Sequence, residues 1–144
     1  MKSCSFFGSS SWSYMQYEMR LRSIITELIE NYNVMQFYSG GRGDFDDFSS
    51  SIVGELRTQY PFIKNTLVLS YIPKEDFILH NKYTDSVYLL ERRVPPRYAI
   101  LETNKAIIDR SDFVVTAARF SFRGAQKAKE YAERKGKKVI ELQE

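Results

Sequence analysis

The sequence has few of the residues that build disulfides, metal centres and catalytic triads. Cys4 is the only cysteine and His80 is the only histidine among 144 residues. A lone cysteine excludes an internal disulfide, and a single histidine excludes a zinc cluster built from His and Cys. A Ser-His-Asp triad would have to use His80, which lies in a polar segment typical of an exposed loop. We therefore predict no resident metal and no cofactor.

Long apolar runs are also missing. The chain has no apolar stretch of about 18 residues, and its beginning lacks a signal-peptide core. The net charge of +3 and the pI near 8.9 fall short of the dense basic patch of a committed nucleic-acid binder, but they admit an anionic small ligand. The sequence thus predicts a cytoplasmic protein that needs neither a membrane nor nucleic acid. No linker or repeat divides it, so we expect one domain over residues 1–144.

Short apolar runs alternate with helical periodicities along the whole chain. This alternation is typical of α/β domains with right-handed crossovers. It predicts a Rossmann-like three-layer sandwich, in which a mainly parallel sheet of about five to six strands is flanked by about four helices. We expect strands at residues 2–7, 34–39, 65–71, 86–90, 112–117 and 137–142, and helices that end at 31–33, follow Asp44, and span 98–110 and 124–134.

The last two predicted helices combine apolar spacing with charged residues. In the helix at 98–110, the spacing places Ile100, Leu101, Ile107 and Ile108 in the core.

The basic residues of 127–138 are interpreted as a solvated helix face with favourable charge near a helix carboxyl end.

The stretch FYSGGRGDFDD at residues 37–47 is the most unusual local motif. Gly41 and Gly43 match the first two glycines of a dinucleotide-binding G-x-G-x-x-G, but Asp46 occupies the third position. An EF-hand is excluded because its sixth position is Ser49, although a loose Mg²⁺ site at the acids stays an alternative. Asp44 is predicted to cap the helix that follows. The glycines therefore either admit a ligand close to the backbone or only form a turn.

Several segments, in order, resemble the SLOG superfamily, whose Rossmann-like domains are related to the DNA-processing protein DprA and to the LOG proteins. The likeness covers almost the whole chain and is strongest for small single-domain bacterial or phage members. The segments that carry it are Phe6-Phe7-Gly8-Ser9, the G-G-x-x-G-x-D match at 40–46, 96–100 followed by Asn104-Lys105, the D-x-S-D match at 109–115, and Arg123-Gly124-Ala125 before the last helix.

The resemblance implies a site for a nucleotide or nucleotide-derived ligand at the carboxyl edge of the sheet. The topology of an open parallel sheet independently favours a crevice at that edge. Arg119 and Arg123 are added because a guanidinium suits a phosphate. The predicted ligand-binding residues are Gly8, Ser9, Ser10, Gly40, Gly41, Gly43, Asp44, Asp46, Asn104, Arg119, Arg123, Gly124 and Ala125.

Three positions depart from the family pattern. Thr103 stands where an Arg usually precedes the Asn, and Arg123 replaces the first Gly of the late glycine pair. Ala128 stands where the phosphoribohydrolase-like LOG enzymes have a Glu. The sequence therefore favours a non-catalytic binding or sensing domain for a nucleotide-related ligand. Two alternatives stay open: an N-glycosidic hydrolase of nucleoside monophosphates, and a protein-interaction subunit with a degenerate pocket, for instance a homo-oligomer.

Overall fold

The computed structural model describes residues 1–9, 15–117 and 124–142. Within them, the helices and strands alternate as the sequence predicts. The strands are β1 (Lys2–Gly8), β2 (Val34–Ser39), β3 (Lys64–Leu69), β4 (Asp85–Tyr88), β5 (Phe113–Ala117) and β6 (Lys138–Glu141). The helices are α1 (Glu18–Tyr32), preceded by a 3₁₀ turn at Met15–Tyr17, α2 (Asp44–Leu56), α3 (Pro96–Asp109) and α4 (Gly124–Arg134).

All six strands belong to one parallel sheet with the order β4-β3-β2-β1-β5-β6. The strand order runs outward from β1 to β4 on one side and then returns to β5 and β6 on the other. Helices cover both faces of the sheet, so the predicted Rossmann-like three-layer sandwich is confirmed. The reversal between β1 and β5 is a topological switch point, where open α/β sheets form a crevice beyond their carboxyl ends.

The two faces of the sheet bury separate apolar clusters. On one face, α1 and α2 pack with Phe6, Phe37 and Phe45, and the Phe6 and Phe37 rings stack with centroids 6.1 Å apart. On the other face, α3 and α4 pack Ile107 and Ile108 against a cluster that includes three alanines of α4. Each fully buried large apolar side chain contributes about 1.5–3 kcal/mol. The small alanines let α4 lie close to the sheet.

The ends of the helices follow local chemistry. Helix α1 ends at Asn33, which adopts the left-handed conformation (φ 58°) and donates its backbone N–H to the Leu28 carbonyl. The predicted end at residues 31–33 is therefore confirmed. Helix α3 begins at Pro96, where a proline loses nothing because the first N–H groups of a helix have no intrahelical partner.

The connection between β3 and β4 contains no helix and is held against α2 instead. The sequence predicts β3 to continue to residue 71, but the strand ends at Leu69. Within the connection, the Lys82 ammonium lies 2.6 Å from an Asp47 carboxylate oxygen. The Tyr83 hydroxyl donates a hydrogen bond of 3.2 Å to Ser50 Oγ. These two contacts fix the crossover on the same face as α2, where a right-handed connection places it.

Candidate functional site

The carboxyl ends of β1 and β2 meet the start of α2 in a tight junction. A Cβ atom added to Gly8 would lie 2.4 Å from the Phe45 ring, so only glycine lets β1 end this close to α2. The backbone N–H of Phe45 donates to the carbonyl of Ser9 at 3.4 Å. Gly8 and Ser9 thus lie at the predicted edge, and both contribute to packing there. Ser10, the third predicted residue of this turn, lies outside the described residues.

The glycines after β2 form a turn with left-handed backbone geometry. Gly41 and Gly43 have φ values of +66° and +91°, which side chains other than glycine rarely adopt. A Cβ atom on Gly41 would also lie 2.4 Å from Leu67 Cδ1. Gly40 leaves room for the neighbouring Arg42, because its own Cβ would lie 3.0 Å from the guanidinium. Conformation and packing therefore account for these glycines, and their contact with a ligand stays a prediction.

The acids that follow the turn have different roles. The N-cap position of α2 is held by Gly43, which has no side chain to cap the helix, so the prediction that Asp44 caps the helix is wrong. Asp44 is the first helical residue and is exposed, whereas Asp46 reaches back and accepts the Arg42 backbone N–H at 2.9 Å. Burial raises the pKa of Asp46 to about 6, against the opposing effects of that hydrogen bond and of nearby cations. With Asp47, three carboxylates occupy the first turn of α2 and disfavour an anion there.

Arg42 connects three elements at the carboxyl edge, and the sequence analysis did not select it. One guanidinium nitrogen, Nη1, donates to Ser70 Oγ at 2.6 Å and to the Gly40 carbonyl at 3.4 Å. The other, Nη2, donates to Asn104 Oδ1 at 3.1 Å. The signal in the sequence was an arginine between glycines directly after a buried strand. Arg42 and its partner Asn104 on α3 are 62 residues apart in the sequence, so no local pattern predicts their contact.

Asn104 is the predicted residue that joins the carboxyl edge to a groove on the outer surface. Because its Oδ1 accepts from Arg42, the orientation of its amide is fixed. Among the described residues, no acceptor is bound to the Asn104 NH₂ group, which leaves two donors for a ligand. Asn104 lies on the half-buried side of α3 and also lines the groove between α3 and α4.

The groove between α3 and α4 has a volume of about 640 Å³ and combines apolar walls with positive charge. Ile100 and Leu101 were predicted in the core, but they are 50% and 37% exposed and form part of a groove wall. That prediction was wrong because α4 leaves this end of α3 uncovered. The described residues that line the groove are Arg97, Tyr98, Ile100, Leu101, Asn104, Lys105, Ile108, Gly124, Lys127, Ala128, Glu130, Tyr131 and Arg134.

Cations surround the aromatic rings of the groove. The Arg97 guanidinium lies 4.8 Å from the centre of the Tyr98 ring. Lys105 and Arg134 both lie 5.8 Å from the centre of the Tyr131 ring. Of the described lining residues, four are cationic and one, Glu130, is anionic. The basic residues at 127 and 134, interpreted from the sequence as a solvated helix face, therefore also give the groove a positive field.

The remaining predicted residues lie at the start of α4. Gly124 is exposed and lines the groove, and a Cβ atom added there would meet no atom of the described residues within 4 Å. Ala125 is 3% exposed and packs in the cluster beneath α3 and α4, so its side chain lies away from the groove. Arg119 and Arg123 lie outside the described residues. Asn104 and Gly124 therefore share the groove, while the predicted residues of the β1 and β2 turns gather around Arg42 and α2.

The family positions associated with hydrolysis carry no ionisable group. Thr103 is fully buried and Ala128 packs under α4 at 4% exposure. Burial raises the pKa of the Cys4 thiol, so that group is inert. The exposed His80 ring accepts the Lys82 backbone N–H at 3.0 Å through Nδ1. The described part of the chain holds no cluster of three His, Cys, Asp or Glu side chains arranged for a metal ion. None of its helices combines the length and apolar character of a membrane span.

Comparison with solved structures supports the fold. The chain is similar to DNA processing protein A (DprA) from Streptococcus pneumoniae, with a TM-score of 0.67 and 18% identity over 98% of this chain and 50% of DprA. It is also similar to TM1055, with a TM-score of 0.58 and 18% identity over 96% of this chain and 72% of that one. The chain thus shares the fold of these two proteins and spans half the length of DprA. No protein-family model and no curated protein sequence matches it.

Proposed function

We propose that the chain binds a nucleotide or nucleotide-derived ligand in the groove between α3 and α4, and that it acts as a binding or sensing domain. The observation that carries this proposal is the pairing of apolar and aromatic walls with four cations around an amide of fixed orientation. Ligand sites are typically apolar concavities with a few well-placed polar groups, and this groove has the volume of such a site.

Each part of the groove suits one part of a nucleotide. Tyr98 and Tyr131 offer ring faces for a base, and Leu101 and Ile108 supply apolar area beside them. The Asn104 NH₂ donors, which no residue of the described part occupies, match acceptors on a base or ribose. Lys127 lies in the first turn of α4, which holds no acid, so a phosphate there meets no carboxylate from that turn.

Positions 103 and 128 carry no ionisable group, and this favours binding without catalysis. An N-glycosidic hydrolase needs a carboxylate beside the scissile bond, and position 128 offers a buried methyl group instead. Glu130 lines the groove, and Glu102 lies 3.5 Å from the Lys105 ammonium. We assign these two acids to the charge balance of the groove.

A thermal-shift panel of nucleoside monophosphates, cyclic nucleotides and ADP-ribose-type ligands tests the proposal. A ligand that binds only the folded state stabilises it by about 2.7 kcal/mol at 100 times its Kd, which corresponds to a rise in Tm of about 5–10 °C. Lys127→Glu and Asn104→Ala should weaken the shift. Lys64→Glu makes the same charge change on an exposed residue at the amino end of β3 and should leave the shift intact.

Three outcomes would redirect the assignment. A panel without any stabilising member contradicts the proposal. Release of free base from a nucleoside monophosphate points to the hydrolase instead. A dimer that forms without ligand and covers the groove points to a protein-interaction subunit.

A further inference from the structure

We propose that Glu130 is a specificity-determining residue of the groove between α3 and α4, whose carboxylate selects guanine among the nucleotide bases. The inference rests on the proposed function, because it names the base of a nucleotide bound in that groove. It adds a selective role to the charge balance that Glu130 gives the groove. Guanine presents neighbouring N–H donors at its N1 and N2 positions, and the oxygens of a carboxylate can accept both.

The first support is the set of donors and acceptors that the groove offers. The four cations that line it are donors only, and no described residue occupies the Asn104 NH₂ group. The Asn104 oxygen already accepts a hydrogen bond from Arg42. Glu130 is the only carboxylate among the described lining residues. A base that donates hydrogen bonds in this groove therefore finds its charged acceptor at Glu130.

The second support is that the Glu130 carboxylate is not held by the described cations. Lys127 and Arg134 lie three residues before it and four after it on the same helix, which are spacings that permit ion pairs. No described cation lies within the ion-pair distance of 4.0 Å from Glu130. The Arg134 guanidinium lies 5.8 Å from the centre of the Tyr131 ring instead. Because Glu130 is exposed as well, its carboxylate is accessible to a ligand.

The third support is the position of Glu130 on α4. The side of α4 that lines the groove carries Lys127, Glu130, Tyr131 and Arg134, which follow helical spacing. The carboxylate that would bind the edge of the base and the ring that would stack on its face are therefore neighbours on one side of a helix. The α3 wall carries Asn104, whose NH₂ donors suit the O6 and N7 acceptors of guanine.

The other bases place an acceptor where guanine places a donor. Adenine has a lone pair at N1 and cytosine has one at N3, so each offers a carboxylate an amino group beside an acceptor. Uracil has a single N–H group between carbonyl oxygens. A carboxylate would bind one donor of these bases and repel the neighbouring lone pair, so selection combines attraction with repulsion. Loss of a hydrogen bond to a charged group weakens binding by about 10- to 100-fold.

The direct test measures the Kd values of guanosine, inosine and adenosine 5′-monophosphates by isothermal titration calorimetry. These ligands share their ribose and phosphate and differ in the base alone. The guanosine nucleotide should bind about 10- to 100-fold more tightly than the adenosine nucleotide. The inosine nucleotide keeps the N1–H donor without the N2 amino group, so its affinity should fall between them. Equal affinities, or tightest binding of the adenosine nucleotide, overturn the inference.

The second test changes the acceptor on the protein. Glu130→Gln replaces a carboxylate oxygen with an NH₂ donor, which suits the amino group and N1 of adenine. Because loss of the negative charge affects the shared phosphate equally, the ratio of the guanosine and adenosine nucleotide affinities is the quantity to compare. This preference for guanine should fall by about 10- to 100-fold. Glu130→Asp keeps the carboxylate and should keep the preference.

The matched control for the second test is Glu133→Gln. It makes the same substitution on an exposed residue of α4 that does not line the groove, so it should leave the ratio unchanged. An unchanged ratio in Glu130→Gln would show that Glu130 affects only the charge of the groove, and it would overturn the inference.

The outcomes separate this inference from the proposed function. If the three nucleotides bind with equal affinity and Glu130→Gln leaves their ratio unchanged, the proposed function stands and guanine selection is refuted. If none of the nucleotides binds, the proposed function is refuted, and the inference that rests on it is refuted with it.

Discussion

Asp46 makes the stability of the fold depend on pH in a direction opposite to that of most acids at helix starts. Its carboxylate is held inside the turn after β2, where burial raises its pKa from 3.8 to about 6. The Arg42 backbone N–H and the charges of Arg42 and Lys82 all act to lower this pKa, and burial outweighs them together.

The sign and size follow from the linkage between proton binding and folding. Because the pKa is higher in the folded state, the folded chain binds more protons than the unfolded chain between pH 4 and pH 6. The favourable contribution of Asp46 is therefore complete below its unfolded pKa of 3.8 and is lost as pH rises through about 6. At about 1.4 kcal/mol per pKa unit, the loss amounts to at most about 3 kcal/mol. Partial exposure of the side chain makes this figure an upper bound.

Urea unfolding of the wild type and of Asp46→Asn from pH 4 to pH 8 isolates the effect. The variant keeps an oxygen that can accept the Arg42 backbone N–H but cannot ionise. Its stability relative to the wild type should rise by about 1–3 kcal/mol between pH 4 and pH 7 and level off above that. Asp44→Asn, on an exposed residue of the same turn, is the matched control for loss of a first-turn charge. A difference that is flat with pH, or that falls as pH rises, refutes the reasoning.

Two further predictions concern glycines, and chemical denaturation measures both. Gly8→Ala should destabilise the fold by about 1–3 kcal/mol, because the added methyl group overlaps the Phe45 ring. Gly124→Ala adds its methyl group where no described atom lies within 4 Å, and its stability should be within about 0.5 kcal/mol of the wild type. Equal effects of the two substitutions would contradict the packing argument. Gly41→Ala places an alanine at a positive φ and also overlaps the Leu67 side chain, so it should destabilise the fold more than Gly136→Ala. At Gly136 only the backbone strain of about 1 kcal/mol acts. The reverse order of the two effects would contradict the geometry.

The sequence predicted the elements well where local periodicity decides them. The bounds of β2 and α4 agree with the predicted ones. Asn33 before β2, the glycine turn after it, and Gly136 shortly after α4 all have positive φ and end the pattern. The sequence-based prediction failed where contacts between distant elements decide whether a residue is buried. The apolar spacing of Ile100 and Leu101 is the same whether or not a neighbouring helix covers them, so their exposure could not be read from α3 alone.

The candidate site could be predicted to a similar extent. Asn104 and the glycine turns were selected by motif order, and they lie at the carboxyl edge or in the groove. Arg42 was missed because its role depends on the distance between β2 and α3 in space. Asp44 was chosen as a cap by residue type, whereas the turn geometry gives the backbone contact to Asp46, two positions later. The ligand contacts themselves stay predictions.

The central place of β1 in the sheet has a consequence for how the chain acquires its structure during synthesis. The β1–β2 pairing joins segments about 30 residues apart, so that half of the sheet can assemble early, while Ser3 meets Asp112 only across a separation of 109 residues. Until β5 has been translated, one edge of β1 therefore has no strand to pair with. The strand reversal that creates the crevice therefore leaves β1, whose side chains are mostly buried in the finished sheet, open to wrong partners for most of translation. Slow completion of the sheet is expected for so long a closure.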